Sequence, residues 1–462
     1  MTPGLDPEIT VGVGILVTLV VGMATGRTSR LPYWVALATA VAALVASLLT
    51  VGTGQLVDNA VLLDPYSFVV NVFVLLATLA GLVLAWDPGR YGPEYPALVL
   101  LAALGAMLMG LAANLLVLFL GIELLSLPLY ILAGSERTPL GAEAGIKYLL
   151  VGAFSSGILL FGMALLYGAT GTLVFVDFAA LHPAPGLLAA GVALTVAGLI
   201  YKLAIVPFHM WVPDVYEGSP TPVTAFMAFA TKVAAAAALL RVLAFGFPLQ
   251  TATWGVLLGY FAVLTMLVGN LLALPQRDLK RLLAWSGVGN AGYVLVGIAA
   301  HNAVGAEAAI FYLLPYGLAV VTAFAAVRIL EGGGESVQYQ DLRGVAWRHP
   351  ALALAFLVAM LSLAGIPLTG GFVGKFVLLR GALADNQWGL AIGLVVATLV
   401  GLAVYFRPVQ AMFQRGEGSR AHWSVGSAVI LGLSALATIG LGIFPQPVLH
   451  IVSQSASFPW LH

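Results

Sequence analysis

The sequence predicts an all-α polytopic membrane protein of about 14 transmembrane helices, two of them broken, and three observations carry that prediction. Apolar residues make up 61% of the 462-residue chain and charged residues only 8%, where a soluble domain is about one-quarter charged. The apolar residues fall into runs of about twenty, the length that crosses a hydrocarbon core. Two of these runs hold proline, glycine and lysine together, a combination a bilayer tolerates only where backbone and charge face protein or a polar cavity.

Composition also excludes functions. Net charge is zero and there is no basic patch to neutralise phosphates, so nucleic acid is not an expected partner. With no cysteine there is no disulfide, thiolate-held iron–sulfur cluster or Cys-based zinc site. Histidines 182, 209, 301, 349, 422, 450 and 462 lack metal-ligand spacing, so no cofactor is expected in this chain. The start of the chain is acidic (Asp6, Glu8) rather than basic, so the first apolar run reads as a retained span, not a cleaved signal.

In chain order the spans are expected near 8–26, 33–52, 63–86, 96–112, 114–134, 142–168, 187–208, 222–245, 254–274, 279–300, 304–330, 350–379, 388–412 and 424–446. No strand alternation, linker or low-complexity run interrupts them, and residues 1–462 read as one integral domain. Alternating spans put Arg27, Arg30, Arg90, Arg137, Arg277, Lys280, Arg281, Arg328, Arg343, Arg348, Arg407, Arg415 and Arg420 on one side of the membrane. Only Arg241 and Arg380 lie toward the other. The positive-inside rule then places both termini on the extracytoplasmic face.

Spans 4–8 (96–245) and 9–13 (254–412) each contain a proline-interrupted helix, at Pro207 and at Pro367. Broken helices in corresponding places suggest two inverted repeats, flanked by N-terminal helices (1–95) and a last span (424–446), with function where the halves meet.

Lysines mark the candidate site. Of five in the chain, only Lys280 is expected in a basic loop, while Lys147, Lys202, Lys232 and Lys375 lie in apolar spans. Arginine holds topology, and lysine, which releases its proton more readily on burial, sits inside. Lys202 lies in GLIYKLAIVPFHMWVPD (198–214), where Pro207 has no N–H for the Leu203 carbonyl and His209 follows closely. Glu123, ringed by leucines and followed by Pro128, is its natural counter-ion.

Lys232 comes about ten residues after Pro222, at mid-bilayer depth by a rise of about 1.5 Å per residue. Lys375 follows the glycine-rich break LAGIPLTGGFVGK (363–375). Lys147, four residues after Glu143, suits either an interfacial i,i+4 pair or a role tuning Glu123. Ser286, Asn290 and Tyr293 give the tenth span one polar face, which suits ordered water between lysines or helix packing. Gly287, Gly289 and Gly292 match G-x-G-x-x-G, but no strand precedes them, so they imply close helix approach rather than a nucleotide site.

On these residues the chain resembles the subunit N family of the bacterial proton-pumping NADH–quinone oxidoreductase, respiratory complex I. The matching stretches are LGIELLSLPLY (120–130), YKLAIVPFHMWVPDVY (201–216), DLKRLL (278–283) and GGFVGKF (370–376). The resemblance implies an antiporter-like fold of fourteen helices with two inverted five-helix repeats. It further implies a proton relay of Glu123, Lys202, Lys232 and Lys375, with Lys147 and His209 accessory.

A lysine at position 375, where the sister subunit M has glutamate, favours N. Asn290 departs from the family, many members of which have histidine there; since asparagine takes up no proton, a relay would pass through water between Lys232 and Lys375. The family also implies a bacterial inner membrane, and membrane partners including a sister antiporter-like subunit, with bound lipids. NADH, FMN, iron–sulfur clusters and quinone would sit in partner subunits. An Mrp-type cation/proton antiporter subunit and a non-conducting scaffold are the rival readings.

Overall fold

The computed structural model describes residues 5–26, 28–50, 55–86, 90–136, 138–180, 185–248, 251–332 and 336–456; Arg27, Arg137, His182 and His462 lie outside the described residues. Nearly every apolar run is a helix. The order begins α1 (Asp6–Thr25), α2 (Leu31–Leu49), β1 (Gln55–Val57), β2 (Val61–Leu63), α3 (Pro65–Leu84), α4 (Tyr95–Leu111), α5 (Leu115–Ala133), α6 (Pro139–Thr170) and α7 (Phe175–Ala180). Next come α8 (Pro185–Leu203), α9 (Val212–Gly218), α10 (Thr221–Phe226) and α11 (Lys232–Arg241), the last two joined by the π-helical turn Met227–Thr231 and followed by a second, Val242–Gly246. The chain continues with α12 (Thr251–Ala273), α13 (Leu279–Ala299), α14 (Ala303–Leu330), α15 (Val345–Arg348), α16 (Pro350–Ala364), α17 (Gly370–Ala384), α18 (Trp388–Phe413), α19 (Val425–Ile443) and α20 (Gln446–Ser455).

Among the described residues twelve helices are long and apolar enough to cross a membrane, the stretch Thr221–Gly246 counting as one. Two shorter apolar helices, α4 and α16, stand where the fourth and twelfth spans are expected. Polar side chains cap the starts. Asp64 accepts from the Ser67 amide at α3, and Asn114, Thr138, Asp278, Asn302 and Ser424 do the same for α5, α6, α13, α14 and α19. Such caps satisfy amides that neither helix nor lipid can.

The helices differ in how much lipid they face. Thr221–Gly246 and α13 are wholly enclosed and α14 nearly so, whereas α1, α2, α6 and α19 turn most of their residues outward. Polar groups follow that division. Lys232, Asn290, Tyr312 and Tyr316 all sit on the three enclosed helices.

The spans interrupted at Pro207 and Pro367 break completely rather than kink, whereas α5, α14 and α18 run on through Pro128, Pro315 and Pro408. Helix α8 stops at Leu203, not near residue 208, and Ala204 turns left-handed (φ 66°) with the Ile205 amide bonding back to the Ile200 carbonyl at 3.0 Å. Helix α16 stops at Ala364, Gly365 turns left-handed (φ 83°), and the Ile366 amide bonds the Leu361 carbonyl at 3.0 Å. In each, a helix ends by a bond reaching five residues back, a Schellman-type stop. The chain then runs unwound to α9 and to α17, which extends past the expected limit of 379 to Ala384.

Other expectations need correcting. The sequence shows no strand alternation, yet β1 and β2 pair antiparallel, Gln55 opposite Leu63 and Val57 opposite Val61, because three-residue strands are too short to alternate visibly. Lys280 is not a loop residue: it is buried in the first turn of α13 and donates to the Ser219 carbonyl at 2.6 Å, filling the gap between α9 and α10.

Candidate functional site

The breaks create the site. A helix that stops before proline leaves a carbonyl without an amide donor. Lys232 Nζ donates to the Leu203 carbonyl (3.4 Å), four residues before Pro207. Lys375 Nζ donates to the Leu363 carbonyl (2.8 Å), four residues before Pro367, and to Ala364 (3.3 Å). The same chemistry thus recurs at both breaks. The Lys232 stem leaves its helix just past the π-helical turn Met227–Thr231, a local widening often found at functional positions.

Upstream of Lys232, the last turn of α8 carries Lys202, whose Nζ donates to Ser126 Oγ (2.8 Å) and Tyr130 OH (3.4 Å). Glu123, half-buried one turn before Ser126 on α5, accepts from Ser156 Oγ at 2.6 Å. Acid and lysine therefore share a polar cluster, but the expected direct ion pair is not made within 4 Å, because Ser126 takes the ammonium.

Downstream, an ideal methyl at Gly287 would stand 3.5 Å from Lys232 Cε and 3.4 Å from Tyr316 OH. Glycine thus brings Lys232 close to the α13–α14 contact, where the buried Tyr316 hydroxyl has no partner among the described residues. The Tyr316 ring stacks 6.5 Å from that of Tyr312, whose hydroxyl donates to Asn290 Oδ1 at 2.5 Å. Asn290 Nδ2 donates to the Ser286 carbonyl (2.7 Å) and to Tyr405 OH (3.1 Å), and Tyr405 OH lies 2.6 Å from Ser286 Oγ. Tyr293, which accepts from Thr398 at 3.2 Å, holds its ring under the Lys375 ammonium at 4.4 Å. Lysine, hydroxyl and amide groups alternate from α5 to α17, all of them buried except Glu123 and Thr398.

Two accessory candidates stand apart from this thread. Lys147 pairs with Glu143 (2.6 Å) and with Asp214 (2.7 Å), and Arg281 joins Asp214 (3.0 Å) to Glu217. The i,i+4 pair expected from the sequence is therefore part of a larger, half-exposed cluster. His209 sits in the unwound segment, its ring 5.4 Å from Trp285 and its Nδ1 without a hydrogen-bond partner among the described residues.

Burial pushes the Asp214 carboxyl up, but hydrogen bonds from Lys147 and Arg281 outweigh it and hold the group below its usual range. A depressed carboxyl stabilises above its unfolded value and loses that contribution as pH falls through the folded one. The cluster therefore stays charged at neutral pH. With side chains about one-third exposed, Asp214→Asn is expected to lower stability by at most about 1 kcal/mol. In thermal melts the offset from wild type should persist at neutral pH and vanish only below about 3.9. An offset disappearing between neutrality and mildly acid pH would contradict this account.

Sequence reasoning missed Ser126, Tyr130, Ser156, Tyr312, Tyr316 and Tyr405. Ser126 and Tyr130 were legible, at i+3 and i+7 from Glu123 on one helical face. The others come from separate helices and carry no local signal.

A membrane bundle with two broken helices, each stop bonded by a buried lysine, defines an antiporter-like ion-translocating membrane protein. Over residues 112–401 the chain matches the family described as NADH:quinone oxidoreductase/Mrp antiporter, TM. It is 42% identical to the NADH-quinone oxidoreductase subunit N of Trichlorobacter lovleyi, covering 86% of this chain and 85% of that one. It is 38% identical to the subunit N of Granulibacter bethesdensis over 98% of each chain.

Among solved structures, a chain of respiratory complex I from Thermus thermophilus superposes with a TM-score of 0.86 at 35% identity, over 97% of this chain and 99% of that one. A chain of the Mrp complex from Dietzia sp. DQ12-45-1b gives 0.90 at 25% identity, over 99% and 97%. Shape is common to both classes, so sequence decides. The chain belongs to the NADH-quinone oxidoreductase subunit N family.

Proposed function

We propose that this chain is the proton-translocating membrane subunit of an NADH–quinone oxidoreductase and that Glu123, Lys202, Lys232 and Lys375 carry the protons. One observation bears most of the weight: Lys232 and Lys375 donate to backbone carbonyls, and neither forms an ion pair among the described residues. A scaffold would pair its buried charges, as Arg241 and Asp64 are paired. A lysine with only neutral partners can instead lose and regain its proton without stranding a counter-charge.

In this reading Lys202 gives its proton toward Lys232 when the Glu123 cluster rearranges, and the Tyr316, Tyr312 and Tyr405 hydroxyls lead on to Lys375. Asn290 holds these hydroxyls in place but takes up no proton itself. Moving a charge across 100 mV costs about 2.3 kcal/mol; a hundredfold change in lysine proton affinity, about 2.7 kcal/mol, supplies it. The two matching breaks support paired repeats over 96–245 and 254–412, and α4 and α16 would complete fourteen spans. Arginine distribution supports extracytoplasmic termini in a bacterial inner membrane. NADH, FMN, iron–sulfur clusters and quinone are assigned to partner subunits, among them a sister antiporter-like subunit.

Glu123→Gln tests the reading in assembled complex within sealed vesicles. Turnover and proton uptake are expected to fall together, roughly tenfold. Unchanged uptake per NADH at full rate would remove Glu123 from the path. Sodium-dependent transport without a quinone reductase would instead favour the Mrp-type reading.

A further inference from the structure

Away from the relay, α15, the start of α16 and the end of α18 meet in a patch rich in arginine. Two adjoining cavities open there. One, about 220 Å³, is lined by Tyr339, Arg343, Arg407 and Gln410 among others; the second, about 420 Å³, by Trp347, Arg348 and Arg415 with Gly344 and Gly416. Backbone bonds fix their shared wall, with the Gly344 amide on the Gln414 carbonyl (2.8 Å) and the Gly418 amide on Arg343 (3.1 Å).

Among the described residues, the arginines are held without carboxylates. Arg348 donates to the Gly418 (3.2 Å) and Arg343 (3.0 Å) carbonyls, and Arg407 rests over the Tyr339 ring at 5.3 Å. The exposed side chains of Arg343 and Arg415 make no hydrogen bond or ion pair among the described residues. Among the described residues, the acids nearby in sequence are Asp341, which accepts from the Gln338 amide, and exposed Glu417. The four arginines that line the cavities, against two described acids, leave the patch positive.

Its depth is marked as well. Trp347 (67% exposed) donates to the Phe413 carbonyl at 3.3 Å, and Phe413 and Phe406 of α18 and Leu354 of α16 are also exposed. Tryptophan level with arginine, above outward aliphatic surface, is the arrangement of a membrane interface. Basic pockets between spanning helices recognise anionic headgroups.

We propose that this patch binds an anionic phospholipid, its phosphates in the two arginine-lined cavities and its acyl chains along Leu354 and Phe406. Two adjoining cavities favour a lipid with two phosphodiesters. Charge complementarity and the outward apolar surface select lipid over an acidic segment of another protein, and the assignment is independent of the proton path.

The test places a photo-crosslinking residue, Trp347→p-benzoylphenylalanine, in assembled complex reconstituted in phosphatidylethanolamine with a minor fraction of diphosphatidylglycerol. Adducts on this chain are read by mass. Diphosphatidylglycerol adducts are expected above their bilayer share by about fivefold or more, the effect of roughly one interfacial arginine. Arg343→Gln with Arg415→Gln should return them to that share; Arg343→Lys with Arg415→Lys should keep most of the excess. Both pairs should retain wild-type quinone turnover, which verifies assembly. Adducts at bulk share in the unsubstituted arginine background, or adducts to a neighbouring subunit's peptide, would overturn the assignment.

Discussion

Lys232→Ala in the assembled complex is expected to lower NADH–quinone turnover and proton uptake together, by about tenfold or more, since a lost proton-transfer group slows its step by roughly 10²–10⁴. Lys232 lies on a wholly enclosed helix, its ammonium between the Leu203 carbonyl at the α8 break and Gly287 of α13, and the Tyr316 hydroxyl also borders Gly287. Alanine removes the only side-chain ammonium among the described residues that meets the Leu203 carbonyl. That carbonyl then loses its donor, at about 1–3 kcal/mol, so assembly must be measured beside rate. Lys232→Met keeps the volume and should assemble better while pumping no more. Normal assembly with both rates at the wild-type level would show a packing lysine and refute the path.

How much of this was legible depends on how local each signal is. Pro207 and Pro367 announce orphan carbonyls four residues earlier by covalent logic alone, and both Leu203 and Leu363 are indeed left by the helix. Which donors reach them is a matter of packing between distant helices, so the sequence placed Lys232 and Lys375 in the membrane but not on those carbonyls. Lys280 shows the opposite failure. Read among arginines at a helix start it looks topological, and only the fold brings the Ser219 carbonyl and the Glu331 carboxylate (3.7 Å) to it.

The β1–β2 hairpin carried a short-range sign that went unread. Asp58, Asn59 and Ala60 separate the strand triplets QLV and VLL, and Asp58 and Asn59 adopt positive φ (50° and 54°). The turn closed by the Ala60 amide on the Val57 carbonyl (2.9 Å) demands such a conformation at its two central residues, and Asp and Asn tolerate it better than most residues. The hydroxyl network around Asn290 had no comparable sign, because its members lie on α13, α14 and α18. It also changes the expectation of water alone between the lysines: Tyr312, Tyr405 and Ser286 already bond there.

Arg241→Leu is expected to reduce stability by about 3–5 kcal/mol, as removing one member of a buried ion pair does, enough to deplete the assembled subunit from membranes. Arg241 is 1% exposed and donates to both Asp64 oxygens (2.5 and 2.9 Å) and twice to the Gly110 carbonyl (3.2 and 2.7 Å). It thereby ties α11 to the start of α3 and the end of α4. Leucine strands the Asp64 charge and the Gly110 carbonyl together. Adding Asp64→Asn removes the stranded charge while an amide oxygen can still cap α3 at the Ser67 amide. The double variant should therefore recover much of the loss, as non-additivity requires for groups in contact. A double variant no more abundant than the single, or a single as stable as wild type, would contradict the pairing. Complexes that do assemble should retain wild-type proton uptake per NADH, because Arg241 answers a carboxylate and Lys232 does not. That difference, with both cations buried in one continuous helix, separates a charge that holds the bundle from one free to change its protonation.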